Sequence, residues 1–204
     1  MPFDPVLGDS KLYDECAKSE AKGNVVRGII NGAIRGLDHE GVEQLIHSLP
    51  FEVRGYIRNP PLASSWFSLA KEMPLVKGLV SGPLRGNVAK LREIGAEIAR
   101  DDLATVYKVL LKILSTPSFL INRIGTVHDK YARGVVMTGE TLSPGRAVAM
   151  FTEGAMPYFY CMYGVPGWID AALDIYKVKN QKVKHSTCRH LGAAQCKWEI
   201  SWDA

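Results

Sequence analysis

The sequence predicts an α+β fold: a helical N-terminal half followed by a C-terminal four-stranded antiparallel sheet packed against helices. Three observations carry this. Apolar residues recur every three or four positions as far as about Tyr131, short β-type runs replace that spacing after Gly134, and these runs come as two pairs separated by turn residues. Helices segregated from strand pairs describe an α+β domain rather than a parallel α/β one.

The segment to about Gly23 is polar and weakly patterned, an arm followed by a short helix near Lys11 to Ser19. Asn24 to Leu37 is apolar with Gly28, Gly32 and Gly36 at four-residue spacing, which sets the glycines on one face of a helix; a short strand at Val25 and Val26 is the competing reading. Asp38 caps a helix through Val42, Leu45 and Ile46, which Pro50 interrupts or kinks. Asn59, Pro60 and Pro61 break the chain, and Ser64 or Ser65 then caps a helix over Trp66, Leu69 and Ala70 that runs until Pro74. From Asn87 to Arg100 the residues Val88, Leu91, Ile94 and Ile98 form one apolar face, and a second amphipathic helix follows through Val106, Leu110, Ile113 and Leu114 to Pro117. A third occupies Phe119 to Tyr131. Val135 to Thr138 and Arg146 to Thr152 suit a hairpin with a longer loop, Met156 to Tyr176 returns to helix, and Lys182 to Thr187 with Cys196 to Trp202 forms the last strand pair, joined across Gly192. Residues 1–86 read as a helical extension and 87–204 as the α+β unit, the two forming one continuous globular body.

The chain has 204 residues, 47% hydrophobic and 23% charged, with a formal net charge of +4, the composition of a protein that buries its own core. Basic residues are dispersed among acids, so no nucleic-acid partner is expected, and Lys177, Lys179, Lys182 and Lys184 read as a solvated face. No export signal and no transmembrane segment is expected, since Lys108, Lys112 and Pro117 interrupt the longest apolar stretch. These features suggest a cytoplasmic protein, in which four unevenly spaced cysteines are free thiols or metal ligands rather than a disulfide framework.

Three of the four cysteines, Cys161, Cys188 and Cys196, lie in the last fifth of the chain, with His185 three residues before Cys188. Thiolate and imidazole bunched in this way suggest a metal site or a redox cluster, against the plain alternative of a buried hydrophobe and idle thiols. The stretch Met150, Phe151, Met156, Tyr158, Phe159, Tyr160, Met162, Tyr163, Trp168 either fills the core or walls an apolar cavity together with the helices around Leu91 to Leu114; Phe151, Tyr158, Tyr160 and Trp168 are the candidate pocket residues. No phosphate-binding loop, nucleophile elbow, dinucleotide fingerprint or His-Glu-x-x-His is present, and no catalytic constellation can be assembled, so an enzyme is not expected.

The run from Leu91 to Ala99, the following hairpin and helix, and the ending from Cys188 to Trp198 with two cysteines flanking a small-residue turn at Gly192 together resemble the 4-vinyl-reductase-type small-molecule-binding domains. That group shares a fold with TRAPP trafficking subunits and the haem nitric-oxide-binding domains, and the likeness covers about Asn87 to Trp202. It implies a sensor or carrier of a small apolar molecule that signals through a protein partner or a homodimer, or alternatively a TRAPP-like dimerising scaffold without ligand. Regulators of that group hold a structural zinc with three cysteines and a glutamate. Matched residue by residue, the resemblance implies zinc held by Cys161, Cys188 and Cys196, with His185 in place of the glutamate. The haem-binding relatives use a proximal histidine and a tyrosine-serine-arginine clamp; the sequence has no Tyr-x-Ser-x-Arg, and His128 reads as a surface residue, so haem is not expected.

Overall fold

A computed structural model describes residues 3–105 and 116–203. The helices are α1 (Tyr13–Cys16), α2 (Gly23–Ile34), α3 (His39–Ser48), α4 (Phe51–Arg58), α5 (Leu69–Ser81), α6 (Lys90–Thr105), α7 (Pro117–Asn122), α8 (Ile124–His128) and α9 (Val165–Ile175). The strands are β1 (Glu20–Lys22), β2 (Trp66–Ser68), β3 (Ala132–Arg133), β4 (Val136–Ser143), β5 (Arg146–Glu153), β6 (Lys182–Thr187) and β7 (Cys196–Ser201). The helix expected through Val106 to Leu114 lies outside the described residues.

The C-terminal sheet is antiparallel with strand order β4-β5-β7-β6. Alternation turns Ala147, Ala149 and Phe151 of β5, and Cys196, Trp198 and Ile200 of β7, into the core. The β4–β5 connection is tighter than the expected long loop: Ser143 pairs with Arg146 across Pro144 and Gly145, whose φ of +73° suits glycine.

The N-terminal half is not purely helical. β1 pairs with both β2 and β3, a three-stranded sheet that places Ala21 opposite Phe67 and Ala132. Its outer ring, Trp66, lies between two cations, Lys22 Nζ at 4.3 Å and Arg133 Cζ at 3.9 Å from the ring centre. Trp66 therefore sits in a strand rather than in the expected helix, and the helix begins three residues later, capped by the Ser68 hydroxyl on the Ala70 N–H. α5 also passes through Pro74 instead of stopping there. An interior proline costs about 3 kcal/mol, but Leu75, Val76, Leu79 and Val80 beyond it are buried, each contributing about 1.5–3 kcal/mol, so burial prevails.

Two features of α6 and its partner helix shape the site. The helix over 158–175 contains a π turn at Tyr160–Gly164, directly ahead of Pro166, which has no N–H to return to the preceding turn. Backbones also meet closely: a Cβ on Gly167 would lie 2.1 Å from the Arg92 carbonyl oxygen, and one on Gly95 would lie 2.8 Å from that of Gly164. Ion pairs Arg92–Asp170 and Arg100–Asp174 cross the same helix pair and tie these aspartates to α6. One apolar core runs continuously from Val6 to Ile200.

Candidate functional site

Beside the close contact of α6 with the π turn lies a cavity of about 90 Å³. α2 supplies Val25 and Ile29 to its wall, α6 supplies Leu91, Gly95 and Ile98, and α8 supplies Ile124, Val127 and His128. Tyr131, Ala132 and Met137 also line it, and Met156, Phe159, Tyr160, Gly164, Val165, Trp168 and Ile169 complete it. Of the candidate pocket residues, Tyr160 and Trp168 line this cavity. Phe151 stands behind it, its ring 5.3 Å from that of His128 and 4.9 Å from that of Trp198. Tyr158 packs elsewhere, against Phe3 and His190.

His128 is not the surface residue its sequence context suggests: it is only 9% exposed and belongs to the cavity wall. Desolvation lowers its imidazole to about 4, so the ring is neutral at physiological pH, and its Nδ1 has no hydrogen-bond partner among the described residues. The indole Nε1–H of Trp168 is likewise buried without an acceptor among the described residues.

Tyr160 links the cavity to the N-terminal helices. Its hydroxyl donates to Glu72 Oε1 at 2.5 Å, and Glu72, on α5, is completely buried. Burial pushes the Glu72 carboxyl up to about 8 while the Tyr160 hydroxyl opposes that rise. The phenol is also held well above its ordinary value, first by its own burial and then by Glu72. Sequence reasoning missed both Glu72 and His128, although spacing marks them: Glu72 stands three residues after Leu69 and four before Val76, and His128 four after Ile124, on faces that are otherwise apolar.

The structure also brings together Cys161, His185, Cys188 and Cys196. Cys196 Sγ lies 3.6 Å from Cys161 Sγ and 3.8 Å from Cys188 Sγ, and the ligand atoms of His185, Cys188 and Cys196 are within 4.8 Å of one another. His185 stacks on Trp198 with ring centres 5.3 Å apart. The flanking thiols lower Cys196 most, aided by the Arg189 N–H, whereas hydrogen bonding and burial hold Cys161 well above its ordinary value. The N-terminal segment straps across the cluster: Arg189 makes a bidentate pair with Glu15 at 2.7 and 2.8 Å, and the Asp9 N–H donates to His190 Nδ1 at 3.1 Å.

No protein-family model matches the sequence, and neither does any curated protein. Solved structures do match in shape. A single-residue variant of the H-NOX protein of K. algicida, in its Fe(II) unliganded form, superposes with a TM-score of 0.68 at 12% identity, over 90% of this chain and 97% of that one. The H-NOX protein of S. oneidensis in the Fe(II)NO state gives 0.65 at 14% identity, over 90% and 99% of the two chains. That of Shewanella woodyi in the Fe(II)CO state gives 0.65 at 13%, over 89% and 94%. At these identities the likeness establishes a haem-NO-binding-like fold; it does not establish the vinyl-reductase or TRAPP kinship.

The expectation of zinc is corrected by these neighbours: the metal they carry is iron, and thiols near an imidazole do not by themselves identify zinc. Haem in turn can be tested against this chain's own residues. His128 Nδ1 is a suitable donor for an axial bond. The space and charge disagree, however: about 90 Å³ is well below the roughly 300–1,000 Å³ of pockets for drug-sized ligands, and among the described lining residues no lysine or arginine stands ready for two propionates. The cavity does not fit a haem.

Proposed function

We propose that this chain is a small-molecule sensor built on the haem-NO-binding-like fold, which holds a compact, largely apolar ligand in the cavity between α6 and the 156–169 segment. The observation that carries this reading is the cavity itself, walled by apolar side chains and by a π turn, a rare element frequent at functional sites. A ligand there presses on Tyr160, and Tyr160 grips α5 through Glu72, so occupancy reaches the N-terminal helices and, through them, a protein partner or a second copy. The reading is one of binding rather than catalysis: the wall supplies no nucleophile adjacent to a base among the described residues. Among those residues no helix is long and apolar enough to cross a membrane.

Titration of the isotope-labelled chain with cyclopentane, followed by methyl NMR, tests this. Saturable shifts confined to Ile29, Ile98, Ile124, Val127 and Ile169 are expected. Shifts that scatter over the surface or never saturate would refute the cavity as a binding site.

A further inference from the structure

The apolar wall carries two polar atoms that the described residues leave unsatisfied, His128 Nδ1 and the Trp168 Nε1–H. They belong to one stretch of it. The Tyr131 N–H donates to the His128 carbonyl oxygen at 2.7 Å, the Tyr131 ring packs edge-on against Trp168 at 5.7 Å, and all three residues line the cavity. A buried polar group without a partner is costly, so a cavity shaped for plain hydrocarbon has no use for either atom.

Resting on the sensor reading above, we infer that the ligand is a compact neutral molecule with a single hydroxyl, which accepts from the Trp168 indole and donates to His128 Nδ1 while its hydrocarbon body lies against Ile98, Ile124 and Val127. The indole can only donate, so the ligand must accept; with the imidazole proton on Nε2, His128 Nδ1 accepts, and the ligand then donates to it. One hydroxyl oxygen does both. A carboxylate or ammonium head would arrive charged in a wall with no described counter-ion, and such a charge is expensive to bury. The volume of about 90 Å³ limits the body to a few carbon atoms, less than the roughly 150 Å³ cavity that holds benzene.

The test compares cyclopentanol with cyclopentane on the full chain, in wild type, His128→Phe and Trp168→Phe, reading dissociation constants by NMR. The hydroxyl's advantage, taken as the ratio of the two constants, is expected to fall at least about fivefold in either variant while cyclopentane binding persists. His128→Gln, which retains an acceptor, should preserve most of the advantage and stands in if the phenylalanine variant does not fold. A ratio unchanged by both aromatic substitutions overturns this inference yet leaves the cavity reading intact. Failure of both probes to bind wild type removes the cavity reading itself. Stoichiometric haemin uptake with a Soret band that His128→Phe abolishes would make His128 an axial ligand and overturn the hydroxyl assignment.

Discussion

Glu72 shows how far one side chain can bias the molecule. Its carboxyl is raised by burial from 4.5 to about 8, so the folded protein binds that proton more tightly than the unfolded chain does. The associated stability is complete below pH 4.5 and is lost as the pH rises towards 8. Glu72→Gln keeps an acceptor for Tyr160 and cannot ionise. Relative to that variant, wild type is expected to lose about 3 kcal/mol between about pH 5 and pH 8, read from urea unfolding at each pH. A constant difference across that window would contradict the buried acid. His128 works in the opposite direction: lowered from 6.5 to about 4, it adds stability above pH 6.5 that disappears as the pH falls through 4. Against His128→Phe, wild type should lose about 3 kcal/mol over that acid range. Spacing alone could have revealed that both residues face inward. Their consequences could not be read in the same way, because the partner of Glu72 stands 88 positions away and only the folded chain brings Tyr160 to it.

The elements that carry a strong period were legible. Asp38 caps α3 through the Gly41 N–H, the face of Leu91, Ile94 and Ile98 is buried, and both strand pairs occur after Gly134 in antiparallel register. β1, β2 and β3 were not legible, since strands of two or three residues are too short to show alternation and exist only through pairing with distant partners. The π turn was hidden for a similar reason: Pro166 announces an irregularity without stating its form. Close helix contact at Gly167 yields a direct prediction. Gly167→Ala forces a methyl to within 2.1 Å of the Arg92 carbonyl oxygen, so α6 and α9 must separate, at a cost of about 1–3 kcal/mol in chemical unfolding. Gly192 differs, because its φ of +89° ends the short 3-10 turn with open space around it. Gly192→Ala should cost only about 1 kcal/mol, all of it backbone strain, and Gly192→Asn less.

The continuous core means that residues 87–204 are not expected to stand alone. Cutting there strips Leu69, Leu75 and Leu79, all completely buried, from the shared interior and leaves Tyr160 without Glu72. A fragment of residues 87–204 should therefore lack the near-ultraviolet circular dichroism and dispersed amide spectrum of the full chain, and adding residues 1–86 in trans should restore part of both. Independent folding of the fragment would show that the two halves are separate bodies joined by a docked interface.

The N-terminal strap also sets a timetable. Ala21 pairs with Ala132, and Glu15 grips Arg189 across 174 positions, so the first contact cannot form before Ala132 has been synthesised and the second cannot form before Arg189 has. Loops of that length close slowly and gain nothing before they close. During this interval the thiol of Cys16 is expected to be open to solvent; in the folded chain it is completely buried and burial pushes it up to about 12. Pulse alkylation of nascent chains should label Cys16 until Arg189 has emerged and then stop, which makes one silent cysteine a clock for the moment when Glu15 meets Arg189.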